Sequence, residues 1–351
     1  MPYSWKEKVR FIEPYIPGEQ PESRVIKLNT NENPYPPAPC VIKAIREFDL
    51  ESLRFYPSAE SDPLREAFAK YYSLDKDNIF IANGSDDVLA LSFLSFFYSD
   101  LPVFFPDVTY SFYKVWCALF NIPFELKELS ADFKINVTDY YGENGGVVIA
   151  NPNAPTAIPL NLAEVEDIVS HNLSSVVILD EAYAGFGCES AMGLIKKYDN
   201  LLIVQTFSKS RSLAGMRIGA AFGNKELIAV LSAVKNSYNS YPVNKLSQAA
   251  AEASLNDAAY FAETTAKVIK TRTFAAEELK KLGFTVTESE TNFLFAEHEK
   301  ISASSIKNYL ESKNIYVRFF NAPRINNHLR ITIGTDEEME ALIRELKSFL
   351  P

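Results

Sequence analysis

The sequence predicts an α/β protein: a mostly parallel sheet covered by helices on both faces, followed by a smaller α+β lobe. From about Asn78, short apolar runs rich in β-branched residues recur on a roughly regular beat, with helical patterns between them. Strands buried on both faces read as continuous apolar runs of this kind, rather than as alternating ones. The chain has 351 residues, more than a single core usually supports, so two domains are expected.

In chain order, the first forty residues carry Pro14, Pro17, Pro21, Pro34, Pro36, Pro37 and Pro39 and read as an extended arm, either mobile or held against another surface. Residues 41–255 form the expected large domain, with strands at 79–82, 103–105, 147–150, 176–179, 201–205 and 218–222 and a helix near 110–120. Residues 256–351 form the expected small domain. It opens with a helix over about 257–282, long enough to bridge two lobes. Strands follow at 284–286, 292–296, 316–319 and 329–333, with helices at 302–312 and 337–349.

Composition excludes several classes. The net charge of −10 disfavours binding to a nucleic-acid backbone. Cys40, Cys117 and Cys188 are scattered and unpaired in pattern, which fits a reducing cytoplasm and not a disulfide framework. His171, His298 and His328 are isolated, so no metal is expected. The first twenty residues lack the apolar stretch of a signal peptide, and no run approaches the ~20 apolar residues of a membrane span.

Four groups of residues sit where chemistry is possible. Lys209 follows the 201–205 run in a small polar turn, where a lysine can form a Schiff base; a lone lysine there is more often solvated. Asp180-Glu181-Ala182-Tyr183 ends the 176–179 run; its carboxylate can hold a pyridinium N–H or simply cap a helix. Asn83-Gly84-Ser85-Asp86-Asp87 opens a helix whose free N–H groups make an anion seat, or an ordinary acidic first turn. Arg217, eight residues after Lys209, can give a bidentate contact to phosphate or lie on the surface.

Together and in this order, these groups resemble those of fold-type I pyridoxal-phosphate (PLP) aminotransferases, and within them the histidinol-phosphate aminotransferase group. The resemblance runs from about Lys27 to the C-terminus. Further carriers are Leu28-Asn29-Thr30-Asn31-Glu32-Asn33-Pro34-Tyr35, Phe55-Tyr56-Pro57, Asn151-Pro152-Asn153-Ala154-Pro155-Thr156, Thr206-Phe207-Ser208-Lys209 and Leu329-Arg330-Ile331-Thr332. It implies a large domain with a mostly parallel seven-stranded sheet, an arm packed on the small domain and a partner subunit, and a homodimer with shared active sites.

The resemblance also implies roles. Lys209 would carry the cofactor and shuttle a proton, Asp180 would bind the pyridine nitrogen, Tyr183 the ring oxygen, and Tyr110 would stack on the ring. Ser85, Asp86, Ser208 and Arg217 would hold the phosphate, with Tyr56 reaching a partner's phosphate. Tyr35, Asn33, Arg318 and Arg330 would contact substrate, Tyr35 by closing over the partner's pocket. The chain departs from the family's usual Asn-Asn-Pro-Thr-Gly loop: Ala154 replaces the asparagine that touches the ring oxygen, and Ala157 the glycine. Asn153 is expected to take over, or one hydrogen bond worth about 0.5–1.5 kcal/mol is lost.

The implied reaction is transamination of L-histidinol phosphate with 2-oxoglutarate, giving imidazole acetol phosphate and glutamate. Rivals on the same fold are a threonine-phosphate decarboxylase and a broad aromatic or aspartate aminotransferase. A non-catalytic PLP-binding sensor usually carries a DNA-binding module, and the short, proline-rich region before the sheet offers none.

Overall fold

The computed structural model describes residue 6, residues 9–21 and residues 25–350. Its strands are β1 (Ile26–Leu28), β2 (Ile79–Ala82), β3 (Val103–Pro106), β4 (Phe124–Lys127), β5 (Gly146–Ala150), β6 (Val177–Asp180), β7 (Leu201–Thr206), β8 (Gly219–Gly223), β9 (Phe284–Val286), β10 (Phe293–His298), β11 (Ile315–Phe319) and β12 (His328–Thr332). They form a seven-stranded sheet in the order β2-β8-β7-β6-β5-β3-β4 and a five-stranded sheet in the order β1-β11-β12-β10-β9.

In the larger sheet β8 alone is reversed, pairing antiparallel with both β2 and β7; the remaining pairs are parallel. Consecutive residues of a strand point to opposite faces. Thus Ile79 and Ile81 enter one apolar core with Ile149, Leu179 and Ile203, while Phe80 and Ala82 enter another with Val148, Ile178 and Val204. Two cores require two layers of helices. One of these helices, Ser85–Phe96, begins directly after β2.

The structure corrects the expected elements in three places. Strand β6 ends on Asp180 itself, one residue later than its apolar run, so the carboxylate is anchored in the sheet. Strand β4 was not expected, because its residues are largely exposed and Glu125 and Lys127 interrupt the pattern, as suits an edge strand. The arm is not wholly irregular: Ile26–Leu28 pairs parallel with β11, and Leu28 is 1% exposed in the core of the smaller sheet.

The predicted long helix is Ala258–Lys281. Its buried Arg272 donates from Nη1 to the carbonyls of Phe186 (2.8 Å) and Thr291 (2.7 Å). That ties the loop after β6 to the turn before β10, and so fixes how the two sheets meet beside the end of β6.

Because Leu28 is a core residue and not part of a loose tail, Leu28→Ala should destabilise the protein by about 2–5 kcal/mol. Chemical denaturation of the two proteins checks this; an unchanged midpoint would mean that the arm contributes nothing to the fold.

Candidate active site

The carboxyl ends of β2, β6 and β7 lie along one edge of the larger sheet, where open α/β sheets bind ligands. Strand β8 runs the other way, so its amino end meets that edge too: Gly219 pairs with both Ala82 and Thr206. Hence Asp180, Lys209, Arg217 and the start of the helix Ser85–Phe96 converge although they are far apart in sequence. They line a cavity of about 470 Å³, closed from the other side by the arm and by β11 and β12.

Lys209 donates from Nζ to the carbonyl of Thr30 at 2.9 Å. Burial, reinforced by the Arg330 guanidinium, pulls its pKa down to about 8. A large fraction of this amine is therefore neutral at mildly basic pH, as a nucleophile or proton carrier requires.

Asp180 has the opposite problem. Burial pushes its pKa up to about 7, and the nearby Asp86 and Glu181 carboxylates add to the rise. The fully buried Tyr113 hydroxyl donates to Oδ2 (2.9 Å) and the Ala182 N–H to Oδ1 (3.1 Å), but no cation is bonded to it. The carboxylate is oriented by neutral donors and left for a positively charged ligand. Glu181, pointing to the other face, is consumed by Ser190, Gln205 and the Ala191 N–H.

The anion seat is a cradle with no room for extra atoms. A Cβ on Gly84, at φ +86°, would lie 2.5 Å from the Arg217 guanidinium, and one on Gly219 would lie 2.4 Å from the Ser85 nitrogen. No side chain caps the helix, so its first-turn N–H groups remain available. Asp87 turns back to accept from the Asn83 N–H at 3.1 Å. Asp86 instead faces the cavity, accepting from the Tyr110 hydroxyl (2.8 Å) and from Arg217 (3.3 Å), whose other nitrogen reaches Ser208 Oγ (3.4 Å).

On the opposite wall, Arg318 and Arg330 are directly paired residues of antiparallel neighbours, so both side chains leave the same face of the sheet. Like charges in that position repel. Arg330 Nη2 bonds to the Asn29 carbonyl (2.9 Å), while its buried Nε has no partner. Arg318 donates to the arm carbonyls of Ile16 (3.1 Å) and Pro17 (3.3 Å). Two convergent guanidiniums with spare donors form a site for anions.

Of the residues anticipated from sequence, Lys209, Asp180, Tyr183, Ser85, Asp86, Tyr110, Ser208, Arg217, Arg318 and Arg330 all line this cavity. Four do not. Asn153 is fully committed elsewhere: it donates to the Val108 carbonyl (2.9 Å) and Thr156 Oγ1 (3.0 Å) and accepts from Thr109 (2.8 Å). It fastens its loop and does not stand in for the missing asparagine. Ala154 does line the cavity, and Ala157 adopts φ +70°, the left-handed region that glycine enters without strain. Asn33 bonds to the Lys209 carbonyl (3.1 Å), tying the arm to the lysine turn. Tyr35 packs near Lys267, whose Nζ lies 5.3 Å from the ring centre. Tyr56 is 78% exposed, stacked on Tyr241 with ring centres 4.6 Å apart.

The sequence reading missed Tyr15, which stacks on Phe112 at 4.3 Å in the cavity wall, and Asn31, which bonds to Tyr183. Tyr113 also went unassigned, although its place three residues after Tyr110 turns both rings toward the helix face nearest Asp180. Among the described residues, no cluster of His, Cys, Asp and Glu could hold a metal, and no helix is long and apolar enough to cross a membrane.

Residues 23–346 match the family model for class I and II aminotransferases. The chain belongs to this family. It is 52% identical to a histidinol-phosphate aminotransferase of Lactococcus lactis subsp. cremoris strain MG1363, across 99% of this chain and 98% of that one. A histidinol-phosphate aminotransferase of Clostridium botulinum strain Okra is 48% identical, with the same coverage of each. Among solved structures, the histidinol-phosphate aminotransferase of Clostridium acetobutylicum superposes with a TM-score of 0.84 at 25% identity, covering 93% of this chain and 99% of that one. The seven-stranded and five-stranded sheets are thus those of a fold-type I aminotransferase.

The electrostatics of Asp180 predict a stability signature of the ligand-free aminotransferase. Its folded pKa of about 7 lies above the model value of 3.8, so the fold favours the protonated form. Stability tied to that proton is fully present below about pH 4 and is lost as pH rises through 7. Asp180→Asn cannot ionise, so its stability advantage over the native chain should grow between pH 4 and 7 and then level off. Thermal unfolding across that range checks it; a constant difference would mean that Asp180 is not strained by burial.

Proposed function

We propose that this aminotransferase converts L-histidinol phosphate and 2-oxoglutarate to imidazole acetol phosphate and glutamate, with pyridoxal 5'-phosphate as cofactor, in histidine biosynthesis. The observation that carries the reading is the Arg318–Arg330 pair facing Lys209 across one cavity. Histidinol phosphate brings a phosphate and no carboxylate, and 2-oxoglutarate brings two carboxylates; a pair of guanidiniums accepts both anions. Tyr15, Tyr110 and Phe112 supply flat apolar surface for an imidazole. The names of the 52% and 48% identical relatives support the same substrate.

The residues fit the cofactor. The uncapped helix start with Gly84, Gly219, Ser208 and Arg217 suits a phosphate, and Asp180, lacking a cation, suits a pyridinium. When bound, PLP supplies the electron sink that lets the amine-bearing carbon of the substrate lose its proton. Lys209 would hold the cofactor, then carry that proton between the substrate carbon and the cofactor carbon; its pKa near 8 suits both roles. Tyr110 would cover one ring face, with its hydroxyl anchored on Asp86.

The working unit in this reading is a homodimer with shared active sites, in the cytoplasm. Leu50, Leu53, Phe55, Tyr56 and Tyr238 are each at least half exposed. Such an apolar and aromatic surface is costly in water and suits a second copy. Tyr56 would reach the partner's phosphate seat and Tyr35 its substrate pocket. Three free cysteines fit a reducing compartment.

The test is the visible spectrum of the PLP-loaded protein as L-histidinol phosphate is added without any keto acid. The expected result is conversion of the cofactor to its amine form at low substrate. A cofactor band that ignores histidinol phosphate but responds to aromatic amino acids, or release of carbon dioxide from threonine phosphate, would overturn the substrate.

A further inference from the structure

We infer that Asn31 is a positioning residue that aims the hydroxyl proton of Tyr183 into the cavity, toward the ring oxygen of bound PLP. The inference rests on the cofactor reading above and follows from counting hydrogen bonds. The Asn31 N–H donates to Thr332 Oγ1 at 3.0 Å, and Thr332 Oγ1 lies 2.9 Å from Asn31 Oδ1. A threonine hydroxyl has one proton to give. The amide orientation that gives this proton an acceptor puts Oδ1 on Thr332, and therefore Nδ2 on Tyr183, at 2.9 Å. The Asn292 amide secures the Asn31 carbonyl from the other side at 2.9 Å, and Asn31 is 1% exposed, so the group cannot turn over freely.

Tyr183 Oη is thus an acceptor toward Asn31, and its own proton is left for the cavity that the ring lines. A hydroxyl that accepts one hydrogen bond is also a better donor in the next. Burial keeps the phenol protonated at working pH. The direction matters in this chain because the neighbouring loop offers no substitute: both amide protons of Asn153 are spent on Val108 and Thr156, and Ala154 presents a methyl.

Asn31→Asp separates this role from simple packing. Aspartate has the same size, tolerates the left-handed φ of +58°, and can still accept from Thr332. It would, however, present an acceptor to Tyr183 and capture the proton. A donor to the ring oxygen stabilises its anionic form and so lowers the pH midpoint of the cofactor's visible band. In the PLP-loaded protein without substrate, Asn31→Asp should raise that midpoint by about half a unit to one unit, the worth of one hydrogen bond. In a Tyr183→Phe background the same change should shift it much less. If Asn31→Asp does not fold, Thr332→Val, which releases the amide, should raise the midpoint in the same direction. A normal band with an unmoved midpoint, or an equal shift with and without the Tyr183 hydroxyl, would overturn the inference and leave the cofactor reading standing. No cofactor band in the native protein would overturn both.

Discussion

The carboxylate of Asp180 is the constraint around which the site is arranged. It ends a strand buried on both faces, it receives two neutral donors, and it has two other carboxylates nearby. An ion in that position is costly unless a positive partner arrives. The fold tolerates it because the β6 ladder fixes the backbone and Tyr113 fixes the side chain, so the charge is aimed before a ligand is present. Lys209 is held at the next strand end under the reverse stress, as a cation pulled toward neutrality. A cofactor with a basic ring nitrogen and an aldehyde relieves both at once.

The same logic extends to the anion sites. Arg318 and Arg330 are cross-strand partners of like charge, a pairing that weakens the small sheet unless an anion lies between them. Arg318 also grips the arm through Ile16 and Pro17, so one guanidinium serves both the cavity wall and its substrate side. Asp86 holds Arg217 in the phosphate seat, where it screens the guanidinium until a stronger anion comes.

Much of this was legible in the sequence, for physical reasons. Buried strands announce themselves as apolar runs, and residues placed at strand ends converge automatically at one edge of the sheet. That is why Lys209, Asp180, Ser85 and Arg217 could be grouped before any coordinates. What stayed hidden depends on distant partners. Asn31 meets Tyr183 across 152 positions and Thr332 across 301, and nothing local marks such contacts. Strand β1 acquires its character only by pairing with β11. Asn153 was expected to replace an absent donor, but its own loop uses every proton it has. Strand β4 is an exposed edge, which carries little hydrophobic signal.

The claim on which the account depends is that Asp180 pairs with a protonated ring nitrogen. The most direct measurement is the nitrogen-15 NMR shift of PLP labelled at that atom and bound to the native protein and to Asp180→Asn. The account predicts a pyridinium signal in the native protein that persists above neutral pH, and a neutral pyridine signal in the variant. A neutral pyridine in both would contradict it.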